Sequence, residues 1–158
     1  MRIALYQGSP QPLDIRGNLE RLEQQAQLAA VQGIGLLVCQ EIFLRRYNIG
    51  SEAVDPLAER AHGAAARRVA DIARGNGIAI VYGYPERGED KRIFNSVQLI
   101  DARGTRLANY RKTHLFGELD RAMFSPGDNH FPVVELNGWK VGMLICYDIE
   151  FPLPVRTQ

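Results

Sequence analysis

An excess of charge of either sign, metal-ligand spacings and long apolar runs are all missing from this chain. Its 19 Lys and Arg against 18 Asp and Glu leave a formal charge of +1 over 158 residues. That balance offers neither a basic face for a nucleic acid nor an acidic tail. No stretch approaches the roughly 20 apolar residues of a membrane span. The opening Met1-Arg2-Ile3-Ala4-Leu5-Tyr6-Gln7 is stopped by Gly8-Ser9-Pro10, short of a signal peptide's apolar core. The only two cysteines, Cys39 and Cys146, both fall in expected buried strands, not at disulfide-framework spacing, so a reduced, cytoplasmic protein is expected. The three histidines, His62, His114 and His130, form no His-x-His or His-Glu-x-x-His pattern, and there is no Cys-x-x-Cys, so no metal and no cofactor is expected. Gly33-Ile34-Gly35 precedes a strand where a dinucleotide loop would follow one.

What is present is globular: 46% hydrophobic and 23% charged residues, in a length that lets a domain bury roughly 70% of the surface its unfolded chain exposes. Residues 2–7 predict a first strand, and Leu19, Leu22, Ala26 and Ala29 recur at helical spacing up to Gly33. Leu36-Leu37-Val38-Cys39 predicts a second buried strand, followed by a long polar connection from Glu41 to Asp55. Pro56 to Glu59 and Ala64 to Arg74 predict helix, stopped at Gly75-Asn76-Gly77, before a third strand from Ile78 to Tyr84. Asn95 to Ile100 and Arg106 to Tyr110 then follow at antiparallel spacing. Asn137-Gly138 marks a type I′ hairpin between Val133–Leu136 and Trp139–Gly142, the latter strand running on to Ile145. The expected architecture is α/β, a mixed sheet with helices on one side, in one domain over residues 1–158.

The chemistry centres on Cys146, where the apolar run Val141-Gly142-Met143-Leu144-Ile145 gives way to Tyr147-Asp148-Ile149-Glu150. A strand end is where α/β enzymes display nucleophiles, but a thiol near its ordinary pKa is mostly protonated at neutral pH and needs a base or a cation beside it. Glu41 and Lys112, also at strand ends, supply one of each. Stabilising an oxyanion and protonating a leaving nitrogen are the remaining tasks of amide hydrolysis, and one cation and one acid perform them. The competing readings are structural: Cys146 as a small buried hydrophobe, as Cys39 is read, Glu41 as a solvated loop carboxylate, and Lys112 with Arg111 as a solvated basic pair. A Cys-His arrangement using one of the three histidines is the other catalytic alternative.

These residues stand in text that resembles the nitrilase superfamily of carbon-nitrogen hydrolases. Leu36-Leu37-Val38-Cys39-Gln40-Glu41 resembles the strand leading to that family's general-base glutamate, and Tyr110-Arg111-Lys112-Thr113-His114-Leu115-Phe116 its lysine motif. Ile145-Cys146-Tyr147-Asp148-Ile149-Glu150-Phe151-Pro152 resembles its nucleophile motif, and Gly83-Tyr84-Pro85-Glu86 and Asn95-Ser96 fit the pattern between. The resemblance implies the N-terminal part of a four-layer α-β-β-α sandwich. It makes Glu41 the acid and base, Cys146 the nucleophile, and Lys112 with the backbone N–H of Tyr147 the oxyanion donors. Glu118 resembles a second glutamate that positions substrate and lysine, with a loop carboxylate paired to Arg121 as its alternative. Within the family, Met1 to Gly8, Tyr47-Asn48-Ile49-Gly50 and His114 to Asp120 are similar to bacterial 5-aminopentanamidases and stereoselective amidases. That implies a small-molecule aliphatic amide as substrate, 5-aminopentanamide in lysine breakdown, and a homo-oligomer at full length, with no nucleic-acid or membrane partner.

The chain departs from the family pattern at three places. Gln40 stands where proline is usual, which is expected to loosen the aim of Glu41. Arg45-Arg46 replaces a small uncharged pair and is expected to set two guanidinium groups on the pocket side of the loop, against an ammonium-bearing substrate. After Phe151-Pro152, the text Leu153-Pro154-Val155-Arg156-Thr157-Gln158 carries a proline early in the expected helix and then stops. The expectation is a C-terminally incomplete domain with uncovered apolar sheet surface, which favours association and leaves a catalytically silent interaction module as the alternative function.

Overall fold

The computed structural model describes residues 1–47, 50–128 and 130–158. Strands β1 (Ile3–Tyr6) and β2 (Leu36–Cys39) are joined by helix α1 (Ile15–Val31), and helices α2 (Ser51–Leu57) and α3 (Ala64–Asn76) lead to β3 (Ala79–Arg87). These three strands pair in parallel, which is why helices must carry the chain back between them. Strands β4 (Ile93–Ile100) and β5 (Arg106–Arg111) then add antiparallel, giving a five-stranded mixed sheet in sequence order. Helix α4 (Gly117–Met123) precedes a separate hairpin of β6 (Val133–Leu136) and β7 (Trp139–Gly142). A 3₁₀ turn over Cys146–Glu150 and helix α5 (Pro152–Thr157) follow.

Side-chain alternation on the strands makes two cores. Leu37 and Cys39 of β2 and Ile80 and Tyr82 of β3 face α1 and α3, packing on Leu22, Ala26, Val69 and Ile72. Each such buried branched or leucine side chain contributes about 1.5–3 kcal/mol relative to exposure. The alternate residues, Leu36, Val81, Val97, Leu99, Ala108 and Tyr110, form the other face with Leu136, Met143 and Ile145 of the hairpin segment. The mixed sheet with helices on one side is as expected, and the Asn137-Gly138 turn has positive φ at both residues, 52° and 78°, as a type I′ turn needs. On edge strand β1, Ala4 and Tyr6 pack toward the helices while Ile3 and Leu5 on the opposite side stay 54% and 68% exposed. No helix among the described residues is long and apolar enough to cross a membrane.

Three segments differ from expectation. The polar connection after β2 begins with a buried turn: Ile42, Phe43 and Leu44 are fully enclosed, with Leu44 N–H donating to Gly83 O at 3.2 Å and Asn18 Nδ2 to Leu44 O at 3.0 Å. Further on, α2 starts at Ser51, anchored by buried Val54 against Met123 and Phe124, and Glu59 leaves the helix to bridge Glu86. The segment before Cys146 is no strand beyond Gly142, because no ladder forms there among the described residues. Met143 and Ile145 are nonetheless buried, and Ile145 is extended. The stretch around Glu118, which the sequence pattern assigns no element and the alternative reading takes as loop, is α4.

Gly83 of β3 is where the turn and the sheet meet most closely. A Cβ there would collide with the Ile42 amide nitrogen and stand 2.9 Å from Gln40 O and 3.0 Å from Glu41 C, all backbone atoms that cannot swing aside. Gly83→Ala is therefore expected to cost about 1–3 kcal/mol, the usual range for overpacking, and to displace Glu41. Urea unfolding together with the alkylation rate of Cys146 tests this, and unchanged values for both would show that the turn yields freely.

Candidate active site

Two adjacent basic residues at the end of β5 are sorted by strand geometry. Because successive side chains leave opposite faces of a strand, Arg111 turns with Asn109 to the helix-side face and donates from Nε to Glu86 Oε1 at 3.1 Å. Lys112 follows Ala108 and Tyr110 to the other face and is 0% exposed, so the reading of a solvated basic pair fails for it. Its Nζ donates to Glu41 Oε1 and to Asp120 Oδ2, each at 2.7 Å. Burial pulls the ammonium's pKa down, but the hydrogen bonds to Asp120 and Glu41 outweigh it, and the lysine titrates above its ordinary 10.5.

The carboxylates come from the turn after β2 and from α4. Glu41 is 18% exposed and also receives Asn95 Nδ2 from β4 at 2.6 Å. The Gln40 departure does not leave this turn loose, since Gln40 O accepts the Phe43 N–H at 3.2 Å and abuts Gly83. Asp120, 0% exposed, accepts from Tyr47 OH at 2.6 Å and from the Phe116 N–H at 2.9 Å in addition to Lys112. Arg45 is fully buried and ion-paired at 3.2 Å to Glu59, so its charge is matched inside the protein; Arg46 is exposed. The Tyr47 to Gly50 likeness cannot be followed in full, since Asn48 and Ile49 lie outside the described residues.

Cys146 opens the 3₁₀ turn with an exposed thiol and a φ of +48°, a left-handed conformation rare for a residue with a side chain. Burial and the Glu41 charge push its pKa up, while the Lys112 charge and the Tyr147 backbone N–H pull it down; the net direction is upward. The resting sulfur is thus a thiol that needs a base. Cys39, by contrast, is buried on the helix side and desolvation pushes it up to about 12. The turn is held by Asp148, fully buried, whose carboxylate accepts Ile145 N–H at 3.2 Å, Tyr110 OH at 2.8 Å and His114 N–H at 2.8 Å. His114 Nδ1 also meets Asp148 at 3.0 Å and its ring stacks on Phe151 at 3.7 Å, which occupies this histidine with the scaffold.

Glu41 and Lys112 are hydrogen-bonded to each other, and both, with the Tyr147 N–H, act on the Cys146 thiol. Glu118 does not join them: its side chain is 95% exposed and reaches Arg121 at 3.5 Å. Residues 118 and 120 lie two positions apart on α4, about 200° around a helix, so only one of them turns inward, and it is Asp120. Asp120, Asn95, Tyr47 and Asp148 lie within text that carries the resemblance, but the sequence assigns none of them a role. An acidic residue eight after Lys112, once the segment is read as helix, is the one signal that points to Asp120. Among the described residues no group of three His, Cys, Asp or Glu is placed to hold a metal.

The sequence pattern of the carbon-nitrogen hydrolases matches residues 2–158. The chain belongs to that family. It is 62% identical over 156 residues to a hydrolase of the pqqF 5′ region in Pseudomonas protegens, covering 99% of this chain and 54% of that protein. An (R)-stereoselective amidase of a Pseudomonas species is 36% identical over 157 residues, covering 99% and 55% of the two chains. The crystal structure of an amidase from Nesterenkonia superposes with a TM-score of 0.84 at 36% identity, covering 99% of this chain and 59% of that one. This carbon-nitrogen hydrolase chain therefore spans little more than half the length of those relatives, and its mixed sheet is the corresponding part of their fold.

The Lys112 site generates a prediction about both stability and pH. Asp120→Ala leaves a buried ammonium with one carboxylate in place of two, and breaking a buried pair costs about 3–5 kcal/mol. Because the folded-state pKa of Lys112 is raised, the stabilisation from its charge is complete below pH 10.5 and disappears as pH climbs through the higher folded value. Urea titrations of both proteins should show a gap that is constant from neutrality toward pH 10.5 and closes above it. A gap that shrinks well below that pH would place the stabilisation elsewhere.

Proposed function

We propose that this chain carries cysteine-dependent hydrolysis of a small linear amide to a carboxylic acid and ammonia, with Cys146 as nucleophile, Glu41 as acid and base, and Lys112 as oxyanion donor. The observation that carries the reading is an exposed thiol on a strained turn, protonated at rest, electrostatically coupled to a carboxylate and an ammonium that are themselves hydrogen-bonded. In a glutamate-to-glutamine mutant of the Nesterenkonia amidase, acrylamide has added at the active-site cysteine, which supports a reactive thiol as the centre of the route here.

Glu41 takes the thiol proton as the sulfur bonds to the amide carbon, and the carbonyl oxygen becomes an oxyanion facing the Lys112 ammonium and the Tyr147 N–H. Glu41 then gives the proton to the nitrogen, the C–N bond breaks, and ammonia leaves a thioester. Water, losing a proton to Glu41, attacks that thioester; the C–S bond breaks, the acid departs and the proton returns to sulfur. Asp120, with Tyr47, keeps Lys112 in place.

Substrate class follows from charge. Glu41, Lys112 and Asp120 sum to one negative charge when ionised, which suits a neutral amide or one with a distant ammonium and disfavours a substrate carboxylate. With Arg45 matched by Glu59, one of the two guanidinium charges set against an ammonium-bearing amide is neutralised, and 5-aminopentanamide with a place in lysine breakdown is proposed as the specific case. Two free cysteines fit the reducing cytoplasm, and the exposed Ile3 and Leu5 on edge strand β1 fit a homo-oligomer. The same exposed strand favours a second reading, a silent interaction module.

Ammonia release from short aliphatic amides, 5-aminopentanamide among them, separates the two readings. Cys146→Ala is expected to abolish turnover, Glu41→Gln to lower it about 10²- to 10⁴-fold, and Lys112→Met about 10²- to 10³-fold. Equal rates for the unaltered chain and Cys146→Ala would overturn the enzyme reading. Acrylamide adducts located by mass spectrometry are expected on Cys146 and not on Cys39.

A further inference from the structure

The two carboxylate oxygens of Glu41 have different surroundings. Oε1 accepts from Asn95 Nδ2 at 2.6 Å and from Lys112 Nζ at 2.7 Å, while no N–H or O–H group donates to Oε2 among the described residues. We propose that Asn95 is a positioning residue which, by filling Oε1 together with Lys112, makes Oε2 the oxygen that receives the Cys146 proton. The inference rests on the amidase reading and deepens it.

Asn95 is suited to this by location and by chemistry. It is fully buried on β4, held by its register opposite Pro85 of β3, and its backbone O accepts the Lys112 N–H at 2.8 Å. One residue therefore fixes the base through its side chain and the oxyanion cation through its backbone. Its Oδ1 finds no protein partner among the described residues, so the side chain's hydrogen bonding is directed to Glu41 alone. The reverse amide orientation would set Oδ1 against a carboxylate oxygen, which determines the assignment. Being neutral, Asn95 orients Glu41 without adding a second cation, and the titratable groups that face Glu41 remain Lys112, Cys146 and Tyr47.

The test follows alkylation of Cys146 by acrylamide across pH, read by intact mass, so it does not depend on turnover. In that reaction the S–H proton passes to Oε2 as sulfur bonds to the terminal alkene carbon, and the displaced π pair is protonated at the carbon next to the carbonyl. Asn95→Ala is expected to slow alkylation at neutral pH, by up to about 10²-fold for a misplaced base. Asn95→Asp, isosteric but acidic, sets two carboxylates in contact that must share a proton. The acid limb of its rate profile is expected to rise by about one pH unit or more. Both effects should vanish when Glu41→Gln is also present, because Asn95 acts only through Glu41. An Asn95→Asp profile superimposable on that of the unaltered chain, or equal losses with and without Glu41→Gln, would overturn the proposal. Should Asn95→Ala fail to fold, by its urea midpoint, the isosteric variant decides alone. If Cys146 of the unaltered chain reacts no faster than in Glu41→Gln, the amidase reading falls and takes this inference with it. That result is distinct from a fast wild-type reaction with no Asn95 dependence.

Discussion

An ammonium removed from water costs several kcal/mol, and the cost is offset only where carboxylates meet it at hydrogen-bond distance. Lys112 is such a group, and its two partners at 2.7 Å come from opposite ends of the described chain's middle, Glu41 after β2 and Asp120 in α4. Satisfying that one charge forces the turn after β2, the end of β5 and α4 to converge. The convergence also sets the electrostatics that Cys146 meets. Burial first, and the Glu41 charge second, outweigh the Lys112 ammonium and keep the neighbouring thiol protonated instead of stabilising a thiolate. In the proposed route, chemistry at such a sulfur begins with proton removal, and the carboxylate assigned to it, Glu41, is one of the two that hold the lysine.

Asp148 is the second buried charge around which the site is built, and it works through N–H and O–H donors where Lys112 works through carboxylates. Its oxygens join Ile145, just before the sulfur, to Tyr110 and His114, on either side of Lys112. The nucleophile segment is thus tied to the lysine segment by a carboxylate, in a region where no strand ladder runs beyond Gly142. This explains how Ile145 and Met143 are buried without strand pairing, and why a run of apolar residues there looks like a strand from sequence alone.

Much of the fold was legible because period and turn chemistry agree. Leu36–Cys39 and the Asn137-Gly138 hairpin fall where alternation and φ preference put them, and Leu22, Ala26 and Ala29 form the buried face of α1 as their spacing implies. Glu41, Lys112 and Cys146 were legible through motif resemblance, since each lies near the end of a recognisable apolar run. Their partners were not. Asp120 and Glu118 are both acidic and two residues apart, and only knowing that the segment is helical tells which one turns inward. Asn95-Ser96 fits the family pattern, but inside a strand nothing local tells that the amide is buried against Glu41, and Asp148's role depends on contacts with residues 34 and 38 positions away. Arg45 looked like a pocket charge because its partner, Glu59, is brought to it by a bridge to β3 that sequence does not announce.

Strain appears at both ends of the proposed proton transfer. Cys146 has a φ of +48°, and Ile42, the neighbour of Glu41, has a φ of +50°, a conformation that is especially unfavourable for a β-branched side chain. Such positions cost about 1–3 kcal/mol each and persist only where the surroundings over-determine them. Here they do. The Ile42 turn is enclosed on one side by Gly83, which has no Cβ to push it away, and stitched by Asn18 and Leu44, while the Cys146 turn hangs from Asp148. A relaxed backbone at either place would swing Glu41 or the sulfur away from the other. The fold therefore maintains the approach of base and thiol by rigid attachments on both sides, and the buried lysine between two carboxylates is what makes those attachments mutually consistent.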